Sequence, residues 1–324
     1  MPTNRRKFSA IAIAAVVVAQ WHLAAPAAAD GAAPNVVASI APVHALVAQV
    51  MAGVAAPRLL VTGGASPHAY ALKPSDARAV AGARTVFWVG PELERFLVKP
   101  LAALVAAGEV RVVALARADG IRALPARETG TWAGADRDHD HGKGDAEHDR
   151  GADPHLWLDT VNAAAMVRAI VAALAAVDAG NAPRYRANGD TALADLGALD
   201  AELATMLAPV KRVPYLVFHD AYQYFERRYG LAAAGAVAVG AGRAPGARRI
   251  SELRQTIVAR KAACVFSEPQ FEPALAETLI EGSGARLGTL DPLGAALKPG
   301  PGLYGELMRQ LARSLIGCLQ PAAG

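Results

Sequence analysis

From Asn35 onward, short apolar runs alternate with longer stretches in which apolar residues recur at helical spacing. The short runs predict strands, and the longer stretches predict amphipathic helices. The predicted strands cover residues 36–40, 58–61, 85–89, 110–114, 215–218, 234–239, 264–267 and 286–290, and the predicted helices cover residues 43–52, 75–82, 221–229, 250–261, 273–282 and 304–318. Strands and helices that alternate in this way indicate βαβ units and parallel sheets.

The middle of the chain has a helical pattern only. Asp159 can cap a helix whose apolar positions recur from Val167 to Val177, and Pro183 suits the first turn of a second helix. The leucines of this second helix extend over about 25 residues, which is long for a globular protein. We therefore predict an α/β fold with two similar lobes, each a mostly parallel sheet flanked by helices. A long helix joins the lobes, and the cleft between them is the expected ligand site.

The first 29 residues have the features of a cleaved signal peptide. Basic residues at 5–7 precede an apolar stretch at 11–18, and alanines at 27–29 form a small-residue cleavage site. Residues 4–8 also resemble a twin-arginine export signal, although residues 9–10 depart from its usual continuation. No later segment is expected to cross a membrane, so we predict a free periplasmic protein. Its predicted parts are a signal peptide at 1–29, an N-terminal lobe at 30–182, a connecting helix at 183–209 and a C-terminal lobe at 210–324.

Charge and cysteine content narrow the possible partners. The formal net charge of +4 falls to +1 when residues 1–29 are removed, and no basic cluster with interleaved aromatic residues is present. A nucleic-acid partner is therefore not expected. Cys264 and Cys318 are the only cysteines, and an even count in an exported chain predicts a disulfide. Closing this loop would stabilise the fold by about 4 kcal/mol, and the alternative is a pair of buried free thiols.

Residues 136–150 form a polar segment with six acidic residues, three histidines and no aliphatic side chain larger than alanine. Such a segment cannot contribute to a core. His139, His141 and His148 can bind borderline metals such as zinc, and the carboxylates concentrate divalent cations around them. The alternative interpretation is an ordinary solvated surface loop.

Three other histidines lie at the ends of strands or the edges of helices, where side chains can point into a cleft. They are His68, His155 and His219. Three neutral imidazoles from separate segments can fill three positions of a zinc tetrahedron and leave the fourth for a carboxylate or water. Any one of them taken alone is more often a structural residue than a metal ligand.

Five segments carry a family signature: GASPHAYALKPSDARAV, DPHLWLD, VFHDAYQYFERRYGL, CVFSEPQF and GTLDPLG. In order and context they resemble the metal-binding proteins that serve ABC importers, and most closely the zinc-binding, ZnuA-like members. The resemblance covers nearly all of the predicted mature chain. It implies that His68, His155 and His219 bind the metal. Manganese-binding relatives typically have a glutamate in place of His219, so the resemblance favours zinc.

The resemblance leaves the fourth ligand open. Some relatives have a glutamate directly before the first histidine, where this chain has Pro67. Asp291 matches a position that supplies a carboxylate in other members, so Asp291 and water are the two candidates, and a turn residue is the alternative role of Asp291. Glu268 is expected either to orient a ligand histidine or to cap the following helix. The segment 136–150 matches an acidic, histidine-containing loop of the family and is expected to bind zinc more weakly than the cleft.

These features predict a high-affinity zinc carrier that delivers zinc to the membrane permease of an ABC importer. We expect a monomer and not an enzyme. One alternative is an exported zinc hydrolase, but no His-Glu-x-x-His motif occurs and Glu268 is the only obvious general base. Another is an adhesin-like protein in which the metal serves stability alone, which would unfold when the metal is removed.

Overall fold

The computed structural model describes Met1 and residues 33–127, 151–238, 246–271 and 274–320. The predicted signal peptide lies outside these residues. So does the polar segment with His139, His141 and His148. The predictions made for both segments therefore stay predictions.

Within the described residues, eight strands form two separate four-stranded sheets in which all pairs are parallel. The strands are β1 Val36–Ala38, β2 Arg58–Leu59, β3 Thr85–Trp88, β4 Arg111–Ala114, β5 Tyr215–Val217, β6 Ala233–Ala236, β7 Cys264–Ser267 and β8 Arg286–Thr289. The sheet orders are β2-β1-β3-β4 and β6-β5-β7-β8. The two lobes thus repeat one topology, which confirms the predicted fold.

Nine helices accompany these strands in the described part of the chain: α1 Ala41–Val50, α2 Pro74–Ala81, α3 Arg95–Ala106, α4 Thr160–Val177, α5 Ala182–Leu207, α6 Gln223–Tyr229, α7 Ala247–Ala259, α8 Ala274–Ile280 and α9 Leu303–Leu319. Sequence reasoning missed only α3. Pro100 lies inside this helix, and Val98 and Val105 are exposed on its outer side while Leu97 and Leu101 are buried. The proline and the outward apolar residues obscure the amphipathic pattern that identifies a surface helix.

Helix α4 begins where the sequence predicts, because the carboxylate of Asp159 accepts a hydrogen bond from the Val161 N–H at 2.8 Å. By length and composition this helix could cross a membrane, so the expectation that no later segment passes that test is wrong. Half of it is buried inside the protein, including Met166 and Ile170. Its apolar character is therefore explained by its place in the core.

Helix α5 is the predicted long helix, with 26 residues and a proline in its first turn. It packs against α1, α4 and α9. Contact with α4 is close at Gly189, where an added Cβ would lie 2.5 Å from Cγ2 of Val171. A side chain at this position would push the two helices apart.

A single hydrophobic core extends from the N-terminal lobe through the central helices into the C-terminal lobe. It includes Val36 and Leu46 of the first lobe, Leu203 of α5, and Tyr215 and Phe266 of the second lobe. Each sheet also has a smaller apolar cluster of its own. Because the lobes share a core, large changes in their relative position would expose buried apolar surface.

The predicted disulfide between Cys264 and Cys318 is present. It joins the first residue of β7 to α9, across 54 positions of sequence. The strand that precedes Glu268 is thereby attached to the last helix of the fold.

Candidate metal centre

The fold brings His68, His155 and His219 together. His68 lies between β2 and α2, His155 precedes α4, and His219 follows β5 by two residues. One ring nitrogen from each lies within 4.8 Å of the other two. Three segments that are distant in sequence therefore supply one compact cluster of potential ligands.

The spacing of the cluster matches a tetrahedral metal site. Nε2 of His155 lies 3.2 Å from Nε2 of His68 and 3.3 Å from Nε2 of His219. Two nitrogens that each lie 2.0–2.1 Å from a tetrahedral zinc ion are separated by about 3.3 Å. Two of the three pairs of imidazoles therefore already have the separation that a bound zinc ion requires.

Carboxylates orient two of the three imidazoles. Nδ1 of His155 lies 2.8 Å from Oδ1 of Asp153, and Nδ1 of His219 lies 2.6 Å from Oε1 of Glu268. Since a carboxylate accepts hydrogen bonds, Nδ1 carries the proton in each ring and Nε2 is left to bind a metal. Glu268, for which the sequence left open orienting a ligand histidine or capping a helix, thus contacts His219. Asp153 performs the same task for His155.

His68 is held differently. Within the described residues its only side-chain hydrogen-bond contact is with His155, and it is half-buried whereas His155 and His219 are buried. Among the residues that the structure describes, no carboxylate contacts its Nδ1 as Asp153 and Glu268 contact the other two rings. The position of this imidazole depends on its own backbone segment.

The surroundings of the three histidines shift their pKa values in different directions. Burial, together with the neighbouring histidines, lowers the pKa of His68 to about 3, and burial lowers the pKa of His155 well below its usual value. Burial also opposes protonation of His219, but Glu268, Asp220 and nearby acidic charge outweigh it and raise its pKa. Of the three imidazoles, His219 therefore binds a proton most readily.

The cluster opens into a small, mostly apolar cavity of about 20 Å³, which is room for little more than one water. Trp157, Phe271 and Leu293 contribute apolar walls. Trp157 is held by two residues of the C-terminal lobe: its Nε1 donates to the carbonyl of Pro292 at 2.8 Å, and its own carbonyl accepts from Tyr304 at 2.7 Å. Such a cavity suits a single ion and excludes a larger substrate.

Asp291 lies near this cavity but outside the histidine cluster. Its two carboxylate oxygens accept hydrogen bonds from the backbone N–H groups of Leu293, Gly294 and Ala295 at 2.5–3.0 Å. This is the arrangement of a turn residue. The two candidates for the fourth ligand, Asp291 and water, both stay predictions.

Sequence reasoning missed two polar residues beside the cluster. Asp153 had a signal, because an acid two residues before a ligand histidine can reach that ring. Arg127 had no such signal in the sequence, because it lies 93 residues before Asp220. Its guanidinium donates to Asp220, the neighbour of His219, and to Glu226 at 2.7 Å. Only the fold brings Arg127 to the site.

A two-lobed α/β fold with three converging imidazoles in its inter-lobe cleft defines a metal-binding protein of the substrate-binding class. The sequence profile of the family described as "Zinc-uptake complex component A periplasmic", ZnuA, matches residues 36–318. The chain belongs to this family.

Individual relatives agree with this assignment. The chain is 45% identical over 312 residues to the high-affinity zinc uptake system protein ZnuA of Brucella abortus (strain 2308), covering 88% of this chain and 91% of that protein. A crystal structure of ZnuA superposes with a TM-score of 0.74 at 25% identity, covering 89% of this chain and 100% of the other. A zinc-bound ZnuA deletion mutant gives 0.72 at 26% identity over the same shares.

Proposed function

We propose that this protein captures zinc in the periplasm and delivers it to the membrane permease of an ABC importer. His68, His155 and His219 bind the ion between the two lobes. The observation that carries this proposal is the convergence of three Nε2 atoms, with His155 at 3.2 and 3.3 Å from the other two. Zinc is the cargo of this site, and the protein acts as a carrier and not as an enzyme.

The donor set supports zinc as the preferred ion. Imidazole suits zinc, whereas manganese and magnesium prefer oxygen ligands. The cluster consists of three imidazoles, and its two nearest carboxylates, Asp153 and Glu268, face the opposite ring nitrogens. We assign the fourth position to water, because the oxygens of Asp291 already accept backbone hydrogen bonds.

The wider organisation follows from the same proposal. Residues 1–29 direct export and are removed, with the twin-arginine route as one possibility, and the mature carrier works as a monomer. Its lobes are residues 30–182 and 210–324, and the connecting helix covers 183–209. Because the two lobes share one hydrophobic core, capture and release involve small movements.

A zinc titration of His219→Ala tests the assigned site. We expect affinity to fall more than about 100-fold, since loss of a ligand should exceed the 10- to 100-fold effect of losing a residue that only orients one. His44→Ala is the matched control, because His44 is also a buried histidine but contacts the carbonyl of Pro57 instead of the cluster. An unchanged affinity in His219→Ala would contradict the proposal.

We propose a secondary, weaker zinc site at His139, His141 and His148 that collects zinc for the cleft. Ordering such a segment costs roughly 1–2 kcal/mol per fixed residue, which makes its affinity lower than that of a preformed site. Deletion of residues 136–150 should remove weak binding and leave tight binding intact. Loss of the tight site in that deletion would refute this division of roles.

A further inference from the structure

Asp291 begins a tight turn in the C-terminal lobe, two residues after β8. Oδ1 accepts from the N–H groups of Leu293 and Gly294, each at 3.0 Å, and Oδ2 accepts from the N–H of Ala295 at 2.5 Å. Gln270 donates a further bond to Oδ1 at 3.3 Å. One side chain thereby fixes the backbone of residues 291–295.

This turn lies against the segment that carries His68. A Cβ added to Gly64 would lie 3.2 Å from Cβ of Ala295, so the two backbones approach closely there. Residues 61–65 and 293–295 also line one cavity of about 100 Å³. Within the described residues no hydrogen bond joins the two segments. The His68 segment is therefore supported by van der Waals packing on the turn.

The His68 segment has little internal support. Its turns are closed by long backbone bonds, from the Ala65 N–H to Thr62 at 3.4 Å and from the Ala69 N–H to Ser66 at 3.3 Å. Gly63 and Gly64 both have left-handed φ values, +69° and +75°. Since no carboxylate in the described part of the chain orients His68, we expect the position of its ring to depend on the surface behind the segment.

We propose that Asp291 is a positioning residue that supports His68 through the 291–295 turn and does not itself bind zinc. This inference rests on the proposed zinc site. It assigns each imidazole a carboxylate: Asp153 and Glu268 act directly on His155 and His219, and Asp291 acts on His68 through its backbone. The third histidine is then positioned by packing between the lobes.

A double-mutant cycle tests the proposal, with zinc affinity measured by competition with a chelator of known affinity. Asp291→Ala should weaken binding about tenfold, the lower end of the range for residues that orient a ligand. In a His68→Ala background the same change should cause no further loss, because its effect passes through His68. A loss that persists in that background would overturn the proposal and make Asp291 a ligand. An unchanged affinity in Asp291→Ala alone would also overturn it.

A pair of glycine variants provides a test that leaves Asp291 intact. Gly63→Ala and Gly64→Ala impose similar backbone strain, but an added Cβ has nothing within 4 Å at Gly63 and meets Ala295 at Gly64. Gly64→Ala should therefore weaken zinc binding several-fold more than Gly63→Ala, in proportion to the displacement of His68. Equal affinities in the two variants would contradict the proposal.

His219→Ala, measured alongside, separates this inference from the proposed function. If His219→Ala binds zinc as tightly as the wild type, the proposed site itself is wrong. If His219→Ala loses zinc while Asp291→Ala keeps wild-type affinity, only the positioning role fails. Thermal unfolding of each zinc-free variant confirms that affinities are compared between folded proteins.

Discussion

The two lobes place a polar pair at the same point of the same topology and use it differently. In each sheet the crevice lies between the two central strands, β1 and β3 or β5 and β7, where the strand order reverses. In the N-terminal lobe Ser39, after β1, donates to Glu94 at 2.5 Å. In the C-terminal lobe His219, after β5, contacts Glu268 at 2.6 Å.

The two pairs differ in whether they leave a polar atom that can bind a metal. Glu94 is fully buried, and its oxygens also accept from the N–H groups of Val89 at 3.0 Å and Gly90 at 2.9 Å. His219 gives one nitrogen to Glu268 and directs the other at His155. In the N-terminal lobe the Glu94 carboxylate is occupied by hydrogen bonds from Ser39 and the backbone. In the C-terminal lobe the imidazole of His219 has a second nitrogen that can bind a metal.

Removing Glu94 should have the largest effect on stability. Glu94→Ala leaves the Ser39 hydroxyl and the N–H groups of Val89 and Gly90 buried without an acceptor, so we expect the free energy of unfolding to fall by about 3–5 kcal/mol. Zinc affinity of the folded protein should stay within about twofold, because the pair is separate from the metal cluster. Urea unfolding and zinc competition measure the two effects. A loss of zinc affinity with unchanged stability would contradict the proposed difference between the two pairs.

The N-terminal pair should also make stability depend on pH. Burial raises the pKa of Glu94 from 4.5 to about 7, despite the hydrogen bonds that oppose the shift. Since the folded state holds this proton more tightly, the stabilisation is complete below about pH 4.5 and is lost as pH rises through about 7. The loss is on the order of 3 kcal/mol. Unfolding of zinc-free wild type and Glu94→Gln at several pH values checks this, and equal slopes would refute it.

Changing the C-terminal pair should alter zinc binding instead. Glu268→Gln keeps a hydrogen-bond acceptor for His219 but removes the charge, so we expect zinc affinity to fall about tenfold. Glu268 helps to raise the pKa of His219, and zinc binds only a deprotonated Nε2, so zinc binding should be coupled to proton release in the wild type. The Glu268→Gln variant should release fewer protons on binding zinc. Calorimetry in two buffers of different ionisation enthalpy measures this release, and equal release from both proteins would exclude the proposed proton site.

The smallest effect is expected for Ser39→Ala. It removes one hydrogen bond to Glu94 but leaves two backbone donors, so unfolding should become easier by about 1 kcal/mol. Zinc affinity should not change. A zinc defect in this variant would show that the two crevices are coupled, and a titration of the purified protein is sufficient to detect it.

Much of this arrangement could be predicted from the sequence because it depends on local patterns. Strand and helix periodicity predicted both sheets and α5, and the positions of His68, His155 and His219 near element ends indicated a cleft site. Glu268 was predicted either to orient a histidine or to cap a helix, and it contacts His219. Each of these predictions depends on a local pattern around the residue concerned.

The remaining features depend on contacts between distant segments. Arg127 reaches Asp220, and Gly64 meets Ala295, only because the lobes pack as they do. Helix α3 was missed because Pro100 and exposed valines obscure its periodicity. The role of Asp291 could not be decided from the sequence either, because a turn residue and a metal ligand look the same there. They differ in which hydrogen-bond donors surround the carboxylate.

The position of Trp157 gives the protein its own optical reporter. Its ring centroid lies 5.4 Å from that of His155, and it is buried, while the chain has four tryptophans in all. Indole emission responds to the charge and rigidity of an adjacent ring, so filling the site should change the intrinsic fluorescence. A Trp157→Phe variant would separate this signal from the other indoles. Occupancy could then be followed in real time without a dye or a label.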